Sequence, residues 1–204
     1  MRDSAATMPG RVVDASKFDL AAAERAALEL LRAIGADVDS PGLRETPRRV
    51  AASFAELVTP TELGATVFPN DGSYDELVVV RDIPFHTLCM HHLLPFHGHA
   101  HIGYVPGESI VGISKLARVV EAFARDLQVQ ERLTVQIAEA IHEFVQPAGV
   151  GVVIEAMHFC MIMRGVEKQN SVAVTSCMLG SFRDRPQTRE EFLALIRKKH
   201  DGLG

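Results

Sequence analysis

Apolar residues recur at helical spacing from Leu20 to Ile34 (Leu20, Ala23, Ala27, Leu31, Ile34), and Gly35 follows as a stop. Thr46-Pro47 predicts an N-cap with proline at the first helical position, opening a helix to about Leu57. A run rich in Pro, Gly, Asn and Asp covers about 58–74 and reads as a loop. The period then changes. Glu76 to Ile83 is β-branched and strand-like, and His97 to Val105 alternates as a second strand. Ser114 is expected to cap a helix whose apolar face is Leu116, Val119, Val120 and Phe123. A further helix, about Gln130 to Val145, presents Leu133, Ile137, Ile141 and Phe144 until Pro147-Ala148-Gly149 breaks it. Val150–Ile162 and Ser171–Leu179 read as strands, and Thr188–Lys199 as a closing amphipathic helix. Consecutive strands without intervening helices favour an antiparallel α+β layer fold over a parallel sheet. The chain divides into a mobile tail over 1–16, a helical region over 17–74 and a sheet-bearing domain over 75–204.

Composition narrows the class. A length of 204 residues is enough to bury one sizeable core. Hydrophobic residues at 47% and charged residues at 23% describe an ordinary globular protein. A net charge of −5 argues against a general nucleic-acid binder, while a local cluster of Arg and Lys still suits a small anionic ligand. No apolar run approaches the roughly 18 residues of a membrane span. Met1 to Lys17 lacks the apolar segment of a secretory signal. Three cysteines, an odd number, point to a reducing compartment and leave thiols free for metal or catalysis. A cytoplasmic protein with no membrane partner is expected.

Cys89-Met90-His91-His92 is the first chemical cluster, its C-x2-H spacing that of a tight turn able to present two ligands to one zinc. Cys160, within His158-Phe159-Cys160, is a further candidate. Two thiolates and one imidazole leave a fourth tetrahedral position open, as in catalytic zinc sites. His91 and His158 would then stand beside the ligands as proton-transfer groups. The competing reading is a buried cysteine with stray core histidines. His97, His99 and His101 share one strand face, read as a polar face or subunit contact rather than a second metal site. Cys177 reads as a small buried hydrophobe. Gly112 to Arg118 leads into a helix whose first turn favours an anion, with Lys115 and Arg118 on one face. Alone, that pattern reads better as a solvated basic face. Arg164 adds a cation only if the two sites adjoin. Gln130-Glu131 opens the next helix, where a carboxylate could accept from the N1–H and 2-amino edge of guanine. Alone, simple preference for acidic residues at a helix start is the better explanation.

Together these stretches resemble GTP cyclohydrolase I. The matching runs are Cys89 to Phe96, Gly112 to Arg118, Gln128 to Thr134, His158-Phe159-Cys160 and Met163-Arg164-Gly165, with Thr175-Ser176 and Thr188 to Phe192 also fitting. The similarity runs from about Thr46 to Arg197, and several long motifs in order are far more specific than any one alone. The resemblance implies the tunnelling fold, an antiparallel sheet with two helices on one side, preceded by N-terminal helices, with 75–204 as the catalytic domain. It implies a homo-oligomer, a decamer of two stacked pentamers with active sites between subunits. Zinc would be held by Cys89, His92 and Cys160. His91 would move protons at the guanine imidazole as formate leaves, and His158 would assist the later ribose rearrangement. Glu131, with Gln130 nearby, would hold the guanine edge of GTP. Ser114, Lys115, Arg118 and Arg164 would contact the ribose and triphosphate, and Arg49 matches an arginine near the phosphates. The implied product is 7,8-dihydroneopterin triphosphate. Met90 stands where that family carries an acidic residue, and His97 and His99 also depart from its pattern. A fold relative with lyase or reductase chemistry, a non-catalytic GTP-binding paralogue, and a hydrolase stopping at a ring-opened product are the competing classes. The complete Cys-His-Cys, Lys115-Arg118 and Gln130-Glu131 set argues against the first.

Overall fold

The computed structural model describes residues 10–61, 63, 64 and 66–197. Helix α1 (Leu20–Ala33) begins at Asp19, whose carboxylate accepts the Ala22 N–H at 2.9 Å, and ends before Gly35 at φ 80°. Helix α2 (Thr46–Val58) packs on α1. Its cap position is Glu45, one residue earlier than expected, with no side-chain cap bond, and Pro47 sits buried in the first turn. Residues 11–13, inside the stretch expected as tail, are tied down. The Arg11 guanidinium donates to the carbonyls of Val58 (3.0 Å), Arg125 (2.8 Å) and Ala122 (3.4 Å). The N–H groups of Val12 and Val13 donate to the Asp126 carboxylate at 2.8 and 2.9 Å. The first nine residues of the expected tail lie outside the described residues, as does the Lys199 end of the closing helix.

The main sheet has five strands in the order β5-β2-β3-β6-β7. These are β2 (Val78–Cys89), β3 (Pro95–Val105), β5 (Leu127–Gln128), β6 (Gly149–His158) and β7 (Ala173–Gly180). All neighbours are antiparallel except β5, which runs parallel to the last two residues of β2. A small ribbon joins β1 (Val67–Pro69), inside the expected loop, to β4 (Ser109–Val111). Strand β2 continues well past the expected end at Ile83. A bulge between Val80 and Ile83 shifts the alternation by one residue, so Val78 and Val80 before it and Ile83 and Phe85 after it meet the same core.

Helices α3 (Ile113–Ala124) and α4 (Gln130–Val145) cover one face of the sheet. Leu116, Val119, Val120, Leu133, Ile137 and Ile141 are fully or almost fully buried there against Phe96, Ile102 and Ile154. Helix α3 starts after Gly112, so Ser114 lies inside the first turn rather than at the cap. The reverse face is half covered by α6 (Ser181–Asp184) and α7 (Pro186–Arg197), whose Phe182 and Phe192 pack on Val153. The α+β antiparallel arrangement with two helices on one side is therefore observed. Among the described residues, no helix is long and apolar enough to cross a membrane.

Candidate active site

The β2–β3 connection brings the chemistry together. The Cys89 N–H donates to the Leu94 carbonyl (2.9 Å) and the Leu93 N–H to the Cys89 carbonyl (2.8 Å), with Leu93 at φ 55°. This tight reversal folds two imidazoles back over the cysteine: Cys89 Sγ lies 4.0 Å from His91 Nδ1 and 3.8 Å from His92 Nδ1. Cys160 comes from the other side. Strand β6 stops at His158 rather than running to Ile162, and one helical turn, α5 (Phe159–Ile162), turns Cys160 toward the pair. The donor atoms of Cys89, His92 and Cys160 all lie within 4.8 Å of one another. Tetrahedral bonds of about 2.3 Å to sulfur and 2.0 Å to nitrogen separate donors by roughly 3.5–3.8 Å, so the trio fits a metal ion with little movement. Cys89 is buried, Cys160 half-buried and His92 exposed, which leaves one side accessible. Burial, then the neighbouring Cys89, pushes the Cys160 thiol up. Arg164 Nη1 stands 3.4 Å from His92 Nε2.

His158 closes the inner side. Its ring stacks on Phe96 with centroids 4.3 Å apart and an interplanar angle of 8°. Its Nε2 lies 2.8 Å from Gln130 Oε1. Burial lowers the His158 pKa, and the negative charge of Glu131 pulls it back up. Glu131, exposed in the first turn of α4, gains from the helix dipole. Gln130, by contrast, is buried. Phe96, Thr134 and Thr175, which complete this corner, lie in the matching runs but were given no role from the sequence. The alternation of β7 was the available signal, since it turns Thr175 toward α4.

Ser114, Lys115 and Arg118 do not join this cluster. Strand β5 follows α3 and pairs with Leu88 and Cys89, so the C-terminus of α3 lies at the cysteine end of the sheet. Its N-terminal turn therefore lies at the opposite end, about 18 Å away for a helix of this length. There the two cations converge: a Cβ on Gly64 would lie 3.5 Å from Arg118 Nη1 and 3.6 Å from Lys115 Nζ. Arg49, on α2, donates to the Gly42 carbonyl and to Thr46 Oγ1, each at 3.5 Å. Among the described residues, no hydrogen bond or ion pair links either basic group to the Cys89 corner.

The family profile for GTP cyclohydrolase I matches residues 23–197. The chain belongs to the GTP cyclohydrolase I family of enzymes. The GTP cyclohydrolase 1 of Rattus norvegicus is 54% identical over 175 residues, covering 82% of this chain and 71% of that one. The Chlorobium phaeovibrioides protein of the same name is 56% identical over 174 residues, covering 82% and 77%. That of Sulfurihydrogenibium sp. is 50% identical over 185 residues, 91% of this chain and 96% of its own. The matched span contains α2, the whole sheet and α7, hence both the Cys89 corner and the basic turn of α3. Met90 lies between Cys89 and His91 in the β2–β3 connection. It is 38% exposed at the tip of the turn, and its N–H donates to the Gln128 carbonyl at 3.0 Å.

Proposed function

We propose that this chain converts GTP to 7,8-dihydroneopterin triphosphate and formate, using zinc held by Cys89, His92 and Cys160. The convergence of those three donors beside His158 and Glu131 carries the reading. When bound, zinc supplies Lewis acidity that makes water a competent nucleophile near neutral pH. His91, next to Cys89, shuttles protons at the guanine imidazole as the ring opens. His158 serves the later ribose stage. Glu131 accepts the N1–H and 2-amino edge of guanine, with Gln130 nearby, and Ser114, Lys115, Arg118, Arg164 and Arg49 meet ribose and triphosphate. An imidazole that ligates through Nδ1 keeps its proton on Nε2. The Arg164 guanidinium, which only donates, is then released from His92 to meet an anion.

The separation of the basic turn of α3 from the Cys89 corner supports a site assembled between copies, with a decamer of two stacked pentamers as the expected form. Three free thiols among the described residues suit a reducing, cytoplasmic setting. The test is zinc-loaded protein with GTP, following formate and oxidised-pterin fluorescence, with chelated protein and Cys160→Ser as controls. Both products, lost in both controls, are expected. Zinc and GTP bound without either product would replace this reading with a binding paralogue, and formate alone with a hydrolase that stops after ring opening.

A further inference from the structure

Gln130 is 3% exposed, and every polar atom of its side chain is engaged. Its Nε2 lies 3.1 Å from the Ile154 carbonyl, 3.0 Å from the Ala173 carbonyl and 3.2 Å from Thr175 Oγ1. Two of these partners are carbonyl oxygens, which only accept. Rotating the amide by half a turn would set oxygen against oxygen, so the NH2 end is fixed by the backbone and not merely by convention. The other end, Oε1, can then only accept. The atom 2.8 Å away, His158 Nε2, must carry the hydrogen.

The rest of the corner closes consistently. Thr134 Oγ1 donates to the Gln130 backbone carbonyl at 2.7 Å, which spends its one hydrogen. The 2.7 Å contact between the two threonine hydroxyls is therefore donated by Thr175. That leaves Thr175 Oγ1 free to accept from Gln130. Each donor in this buried network has an acceptor, the condition under which such networks rigidify rather than destabilise.

We infer that Gln130 is a positioning residue that holds His158 in the Nε2-protonated tautomer, leaving Nδ1 as the ring's one acceptor toward substrate. Phe96 fixes the ring plane by stacking, and Gln130 fixes its rotation within that plane. The amide is buried, with its NH2 held by the Ile154 and Ala173 carbonyls and Thr175, so the guanine edge falls to the exposed Glu131. This rests on the cyclohydrolase reading, and it separates two roles that adjacent residues of one helix turn would otherwise share.

The experiment compares wild type, Gln130→Leu, His158→Ala and the double variant, reading GTP affinity by calorimetry on zinc-depleted protein, then formate and pterin formation on loaded protein. Gln130→Leu should leave the GTP Kd within about twofold and formate release largely intact. Pterin formation should fall about 10–100-fold, the range for a displaced catalytic group. The double variant should be no slower than His158→Ala, because both changes remove one unit. A weakened GTP Kd with kcat preserved would make Gln130 a substrate contact and overturn the inference. Losses that multiply in the double variant would overturn it too. Should Gln130→Leu not fold, Thr175→Val removes one tether and should produce a smaller pterin loss of the same kind, again without change in Kd; a changed Kd with pterin formation intact overturns the inference. A wild type that makes no pterin would instead defeat the cyclohydrolase reading, with the calorimetric result still deciding whether Gln130 touches GTP.

Discussion

His101 alternates with His97 and His99 along β3, and the three look equivalent as letters. They are not equivalent in the fold: His101 is 4% exposed and its Nδ1 accepts the Asp82 N–H at 3.1 Å, while His99 is exposed and His97 half-buried. Burial lowers the His101 pKa and outweighs the charges of Asp82 and Glu155, which raise it; His99 and Arg81 lower it further. A base whose folded pKa lies below its unfolded value of about 6.5 binds its proton more readily in the unfolded chain. Stability is then complete above that pH and falls as the pH drops toward the folded pKa. Thermal unfolding from pH 8 to 5 should show this decline, and His101→Gln should flatten it; an unchanged slope would assign the decline to other groups. Of the three histidines expected on a polar face or subunit contact, only His99 is exposed, and His101 is buried. Spacing reports which face a residue shares, not which part of that face another element covers. Likewise, Cys89 and His92 were readable from local spacing, whereas the approach of Cys160 depends on where β6 ends, a tertiary fact.

At the level of elements, helices were more legible than strands. α1, α2, α3 and α4 lie where periodicity put them, with the caps of α2 and α3 displaced by one and two residues, because a helix carries its signal over several turns. Strand β2 was cut short at Ile83. Arg81, Asp82 and Pro84 break its alternation in a manner indistinguishable from a loop, and only the pairing with β3 reveals a bulge with Asp82 at φ 59°. Pro84 is tolerated because β5 pairs β2 only at Leu88 and Cys89. The β3–β6 pairing has its own constraint. A Cβ on Gly98 would overlap the Glu155 carbonyl oxygen, whereas one on Gly42 meets nothing within 4 Å. Gly98→Ala should therefore lower stability by about 3 kcal/mol or more, through forced strand separation, and Gly42→Ala by less than about 0.5 kcal/mol. Chemical denaturation of both variants measures the contrast, and equal effects would mean the sheet adjusts freely at Gly98.

For the whole molecule, the layer order followed from the succession of elements, since the alternation of strands and helices restricts the layers available. The placement of α6 and α7 on the reverse face did not, because an amphipathic helix does not state which sheet face it covers. Nor could the sequence tell how far the basic turn of α3 stands from Cys89; motifs adjacent in a family pattern end at opposite ends of one sheet. The N-terminal segment was the other surprise. Asp126, 1% exposed, accepts three backbone N–H groups, from Val12, Val13 and Leu127. Two of the three come from residues that composition alone assigned to a tail. Relative to a chain trimmed to begin at Gly10, one beginning at Asp14 should lose about 3 kcal/mol, from two charge-assisted bonds to a carboxylate that water does not reach. Calorimetry on both would show it, and equal midpoints would mean Asp126 finds other partners. Arg11, meanwhile, gathers carbonyls from the end of α2, from α3 and from the residue after α3. The smallest self-sufficient piece of this protein is thus longer than its helices and strands suggest. It includes an arginine eight residues before the cap of the first α-helix, where a protease cut one bond too late removes a fastener between α2 and α3 while leaving every described helix and strand intact.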